Sequence, residues 1–315
     1  MGLEPHERTQ TVQKWLELFV PREVKFSIPL QKIKFEYAKI DKNLKITKYP
    51  GKAGGFTENL GNGVTLEMVA IPGGKFIMGA PKDEEESRDN ERPQHKVNIQ
   101  PFFMGKFQVT QEQYQVIMGH NPSRFRGKKL PVETVSWYDA VKFCKQLSKF
   151  TGKQYRLPSE AKWEYPCRAG TKTPFHFRET ITTDLANYRG TSSEKFSWQG
   201  SYGRGPEGIY RNKTTPVGSF GVANAFGLYD MHGNVWEWCL DDWHNNYQGA
   251  TIDGGAWFKD ENNNLSQKFE RGVLRGGSWR NNPNYCRSAS RHDDASRGND
   301  YDNVGFRVVC AVGRT

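Results

Sequence analysis

No run of apolar residues in this chain approaches the length needed to cross a bilayer, and the N-terminal MGLEPHERTQ lacks the apolar centre of a secretory leader. Both absences point to a soluble, cytoplasmic protein with no membrane partner. Cysteine is scarce: Cys144, Cys167, Cys239, Cys286 and Cys310 include no CxxC pair, which argues against a zinc site, and their odd number argues against a full disulfide framework. Buried free thiols are expected, with a Cys286–Cys310 bridge as the alternative. Carboxylates are sparse in one early stretch. Lys25, Lys32, Lys34, Lys39, Lys42, Lys45, Lys48 and Lys52 are accompanied there only by Glu23, Glu36 and Asp41. A solvated basic arm is the expected role, with an acidic-partner surface as the alternative. No aromatic single-strand platform or helix-turn-helix pattern goes with these lysines, so nucleic acid is not expected as a partner.

What the chain does have is glycine and large aromatics. Its 315 residues include 32 Gly and nine Trp, and aromatic content is 13%. That balance predicts a loop-rich fold whose core is organised by rings rather than long helices. Val12, Trp15, Leu16 and Phe19 recur at helical spacing ahead of Pro21. Residues 24–40 alternate as strands do, and KYPGKAGG (48–55) has the composition of a linker. The division is therefore an N-terminal helix and basic strand arm over 1–55 and a main domain over 56–315. In the latter, residues 63–80 read as two strands turning at Pro72-Gly73-Gly74, and PKDEEESRDNERPQHK (81–96) as a charged, flexible loop. Thr110, Ser136 and Ser159 are positioned to cap three helices, the first of them ended by Gly119. Beyond residue 170 little regular structure is expected until short strands at VLRGGSW and VGFRVVCAV.

Seven stretches in order resemble the formylglycine-generating enzyme, or sulfatase-modifying factor, family: MVAIPGGKFIMG (68–79), VTQEQY (109–114), PVETVSWYDAVKFC (131–144), RLPSEAKWEY (156–165), NAFGLYDMHGNVWEWC (224–239), VLRGGSW (273–279) and GFRVV (305–309). The resemblance implies an α+β, C-type-lectin-like fold, loop-rich, with a few short helices and small antiparallel sheets. It also implies a structural calcium site on DMHGNVWE, held by the side chains of Asp230 and Glu237 and the carbonyls of Gly233 and Val235, a set of hard oxygen donors. The family's second calcium site would begin at Asn187, but its later acidic ligand falls near Ile209, which has no donor.

The family's oxidases use two cysteines after RGGSW to hold copper, because soft thiolates suit Cu(I). Here the first of those positions is Asn281 and only Cys286 matches the second. Copper and catalysis are therefore not expected, with Cys286 a vestigial candidate. Between Arg280 and Asn303 the chain has no Lys, Glu, Gln, Met or Trp. An AAC or AAT codon altered only at its adenines never yields those five types. In this the segment resembles the variable proteins of diversity-generating retroelements, whose variable region lies between the same two motifs. The resemblance implies a non-catalytic binding protein with a variable surface over about 280–303 and a protein ligand. Its candidate contacts are Arg280, Asn281, Asn282, Asn284, Tyr285, Ser290, His292, Asp293, Asp294, Asn299, Tyr301, Asp302 and Asn303, with Arg287, Ser288 and Ala289 as fixed framework. Tyr supplies area at low entropic cost, and Asn, Ser, His and Asp supply adaptable hydrogen bonds. The alternatives are a formylglycine-generating oxidase and a fixed interaction or sensor module of the same fold.

Overall fold

A computed structural model describes residues 28–196, 198–259, 271–292 and 296–311. The helix predicted through Val12 to Phe19, and the candidate contacts Asp293 and Asp294, lie outside these residues. The three predicted caps hold. Helix α1 (Gln111–Met118) starts at Thr110, α2 (Trp137–Thr151) at Ser136 and α3 (Glu160–Arg168) at Ser159, and each cap side chain accepts an N–H from the first turn. Thr110 and Ser136 complete capping boxes with Gln113 and Asp139. Gly119 and Gly152 close α1 and α2 in the left-handed conformation, which glycine adopts without steric cost.

The strands are β1 (Gln31–Ile40), β2 (Ile46–Gly61), β3 (Val64–Ile71), β4 (Gly74–Met78), β5 (His95–Ile99), β6 (Phe102–Gly105), β7 (Tyr155–Arg156), β8 (Trp236–Asp242), β9 (Gly272–Arg275), β10 (Arg291–His292), β11 (Val304–Gly305) and β12 (Val309–Ala311). They form a six-stranded sheet in the order β1-β2-β3-β6-β12-β7, a four-stranded sheet β10-β9-β8-β11 and a pair β4-β5. The fold is thus α+β, with few helices and small, mostly antiparallel sheets. One core cluster joins α1 and α2 to the six-stranded sheet through Tyr114, Phe143, Leu147, Met68 and Phe103. A second packs α3 through Trp163 against Val69, Met104 and Cys239.

Two expectations need correction. Residues 48–55 are not a linker: β2 runs through them without a break and pairs with β1 from Ile46 to Gly55. A sequence of Lys, Gly and Pro can be a strand where its partner supplies the ladder, and here the ring of Phe35 fills the space over Gly51. The two strands expected over residues 63–80 are β3 and β4, which turn at Pro72-Gly73-Gly74 and then part, β3 pairing with β2 and β6 and β4 with β5. Residues 81–96 are not a flexible loop. Arg287 donates to Glu84 at 2.6 Å and to both oxygens of Glu91 at 2.6 and 2.7 Å, which fastens the acidic segment to the C-terminal third of the chain. The five cysteines are buried and unpaired, so the Cys286–Cys310 alternative falls.

Buried arginines recur throughout the C-terminal third. Arg275 donates to Glu164 at 2.5 Å and to the carbonyls of Ser288, Ala289 and Ser290 at 2.7 to 2.9 Å. Arg291 pairs with Glu160, Arg297 with Asp242 and Arg307 with Glu237, all at 2.6 or 2.7 Å. Removing one member of such a pair strands the other charge away from water. Arg275→Met is therefore expected to lower unfolding stability in urea by about 3–5 kcal/mol, since it leaves the buried Glu164 with only Arg168 as ionic partner among the described residues.

Candidate functional site

The segment after RGGSW is placed by the backbone before its side chains matter. Gly276 and Gly277 have φ of 94° and 73°, and a Cβ on Gly277 would lie 2.5 Å from the sulfur of Cys286. The chain can turn there only with glycine. It then forms a short 3-10 turn, Pro283–Cys286, propped from beneath by His232, whose Nδ1 donates to the Cys286 carbonyl at 2.7 Å.

On this platform lies a cleft of about 640 Å³. Arg280, Asn281, Asn282, Asn284, Tyr285, His292, Tyr301 and Asn303 all line it. These are eight of the thirteen predicted contacts, brought from three chain segments to one concavity. Trp236 on β8 forms the back: its Nε1 donates to Asn281 Oδ1 at 2.9 Å, and its ring meets His292 edge-on at 5.1 Å. Tyr285 stacks on His292 at 6.0 Å and carries the guanidinium of Arg88 at 4.6 Å from its centroid. Asn303 donates to Ser278 Oγ at 3.2 Å.

Among the described residues, the remaining predicted contacts lie outside the cleft. Ser290 is buried, because its carbonyl turns in to Arg275. Asn299 is exposed away from the cleft and donates to the Tyr301 hydroxyl at 2.9 Å. Asp302 is engaged by Arg124, and its carbonyl accepts from Trp279 Nε1 at 3.2 Å. Arg287, Ser288 and Ala289 are buried. The wall facing the predicted contacts was not foreseen: Glu85, Glu86, Trp198, Gln199, Ser201 and Tyr202 complete the cleft. The only sequence signal for it was a run of three glutamates and aromatics in a glycine-rich stretch, which no periodicity connects to residues 280–303.

The arrangement is suited to stacking and hydrogen bonding. Its one cysteine, Cys286, is buried, and burial pushes its thiol up and away from the thiolate. The Asn281 carboxamide is already held by Trp236.

The predicted calcium ligands converge, with one change. The carbonyls of Asp230, Gly233 and Val235 and the Glu237 carboxylate surround a single point, and Gln108 Nε2 occupies it at 3.3, 3.3, 3.2 and 3.0 Å respectively. Asp230 thus offers its carbonyl. Its carboxylate accepts the Gly218 N–H at 2.7 Å and is pushed up to about 6 by burial. An amide nitrogen has two hydrogens for these four acceptors, while Gln108 Oε1 is buried without a partner. Four oxygens around one point, with a fifth orphaned beside it, fit a hard cation in kind.

Comparison with known proteins bears on this geometry. The model of the sulfatase-modifying factor enzyme 1-like domain matches residues 57–312. The inactive C-alpha-formylglycine-generating enzyme 2 of Bos taurus is 27% identical over 81% of this chain and 91% of its own. Among solved structures, PvdO from Pseudomonas aeruginosa is 34% identical with a TM-score of 0.65, covering 82% of this chain and 98% of its own. Treponema denticola variable protein 1 is 26% identical with a TM-score of 0.66, covering 82% and 99%.

His232 gives the platform a pH dependence. Burial pushes its imidazole down to about 4, while Nε2 accepts the His176 N–H at 3.1 Å. The folded value lies below the unfolded one, so the stability it contributes is present above the unfolded value and is lost as pH falls toward 4. By about pH 5 that loss amounts to about 2 kcal/mol. Urea unfolding near neutral pH and near pH 5 should show this fall in the wild type and a smaller one in His232→Gln.

Proposed function

The chain belongs to the sulfatase-modifying factor enzyme 1-like domain family, and from that premise we propose that it is a non-catalytic binding protein, the diversified target of a diversity-generating retroelement. The observation that carries this reading is the gathering of Arg280, Asn281, Asn282, Asn284, Tyr285, His292, Tyr301 and Asn303 around one cleft. Residue types reachable by changing adenines alone face a possible ligand, while Arg287 and Arg291, between them, face the core. The likeness to Treponema denticola variable protein 1 supports the same reading. The ligand is a protein: rigid rings flanked by short amides and carboxylates adapt to polypeptide surfaces much as antibody paratopes do. The family includes oxidases, but here Asn281 stands at the first of the two positions that would hold copper and Cys286, at the second, is buried.

The DNA around the gene tests the proposal. A near-copy of the segment encoding residues 275–307, beside a reverse-transcriptase gene and differing almost only at adenines, is expected. Absence of such a copy, or mismatches spread over all four bases, would remove the case for diversification and leave a fixed binding module.

We further propose that calcium binds at the Gln108 centre as a structural ion, held by the carbonyls of Asp230, Gly233 and Val235 and by Glu237, with the amide of Gln108 turned to present Oε1. Calcium in excess over its dissociation constant should then raise the melting temperature relative to chelator, since a ligand that binds only the folded state stabilises it. Gln108→Leu should abolish most of that rise. An identical melting temperature with calcium and with chelator would count against the site.

A further inference from the structure

The basic arm has a face that the alternation of its sequence did not reveal. In the β1–β2 pairing Lys34 stands directly opposite Lys52, Lys32 opposite Gly54, and Glu36 opposite Pro50. Directly opposed residues of an antiparallel pair project to the same side, as do alternate residues of one strand. Lys32, Lys34, Lys48 and Lys52 therefore emerge from one side of the hairpin, and all four are exposed. The single carboxylate among them, Glu36, reaches only Lys48, at 3.5 Å. On the other side Ile33 and Ala53 pack on the core and Phe35 is buried, while on the lysine side the strand turns inward only toward the hairpin end, at Ala38 and Ile40.

Two features set this face apart from an ordinary solvated strand. Like charges directly opposite one another destabilise a sheet, yet Lys34 and Lys52 occupy that relation in perfect register. The second feature is apolar. Leu30 lies over Gly54 on the same side and is 57% exposed, and Leu44 at the hairpin turn is 39% exposed. Between residues 28 and 55 there is no arginine. Phosphodiester recognition favours the bidentate guanidinium and gains nothing from exposed leucines. Exposed lysines on one side of the hairpin, with exposed leucines at its margins, match instead the headgroup region of an anionic bilayer. There ammonium groups meet lipid phosphates and carboxylates, and apolar side chains enter the acyl boundary.

We propose that the outer face of the β1–β2 hairpin is a peripheral docking surface for anionic lipid bilayers. It needs no spanning segment, in keeping with the absence of any helix long and apolar enough to cross a membrane among the described residues. The docking surface is separate from the cleft, because none of its four lysines lines that cavity.

Co-sedimentation of the full chain with vesicles tests this directly. Vesicles of phosphatidylcholine containing about a quarter phosphatidylserine should retain the protein, pure phosphatidylcholine should not, and retention should fall steeply with salt. The Lys34→Gln/Lys52→Gln variant should bind about 30-fold more weakly, from about fivefold per lysine. The same variant should melt at or above the wild-type temperature, because the opposed charges are gone. Equal retention on charged and neutral vesicles would overturn the proposal, as would equal retention of variant and wild type. So would a clearly lower melting temperature of the variant, or salt-sensitive retention of duplex DNA with no retention of vesicles.

Discussion

A guanidinium buried against a carboxylate is the interaction on which the rest of this structure depends. Most of the chain beyond α3 is loop, so few backbone ladders are available to hold it in place. Arg275, Arg287, Arg291, Arg297 and Arg307 supply the missing order. Each reaches a carboxylate far away in the chain, on the acidic segment, on α3 or on β8. Such pairs contribute little net stability compared with well-packed apolar groups, because desolvation offsets most of the attraction. Their effect is on uniqueness. A buried guanidinium has five donors in a fixed plane, and few arrangements of the surrounding loops bring carboxylates and carbonyls to most of them.

The same arginines hold the fold from beneath the cleft, so under the proposed function its surface could change residue by residue without loss of the fold. Arg287 and Arg291 sit within the segment of restricted composition and point inward, while Asn284, Tyr285 and His292 beside them line the cleft. Trp236 and Trp279 assist from below, their indole N–H groups tied to Asn281 and to the Asp302 carbonyl. The first of these ties uses a side chain from the candidate variable set. The framework is therefore not wholly insulated from the surface, and Asn281 serves both.

Much of this was legible in the sequence where a local rule governs. Thr110, Ser136 and Ser159 announce their helices, because a cap needs nothing beyond its own turn. The contacts from Arg280 to Asn303 could be grouped because they are close in the chain and share a composition. What was not legible depends on distant pairing. The stretch 48–55 looks like a linker until β1 lies beside it. Residues 81–96 look mobile until Arg287 arrives from nearly two hundred residues away. Strand β8, with Glu237, Asp241 and Asp242 all buried, breaks the rule that buried strands are apolar, since its carboxylates meet Arg307, two backbone N–H groups and Arg297. Gln108 carried no motif, and only the fold shows the four oxygens around its amide.

The order of the six-stranded sheet has a consequence for biosynthesis. Strand β12, at Val309–Ala311, is an interior strand that joins β6 to β7. A ribosome releases it after every other strand of the described residues, so the sheet cannot close until the segment from Arg280 to Asn303 has already been made. Contacts this distant in sequence make for slow, post-translational folding. A copying error that shifts the reading frame within the segment destroys β12 as well as Arg307. Its product would lack both that interior strand and the partner of Glu237. If the segment is rewritten as proposed, this architecture would make folding depend on an intact reading frame through it.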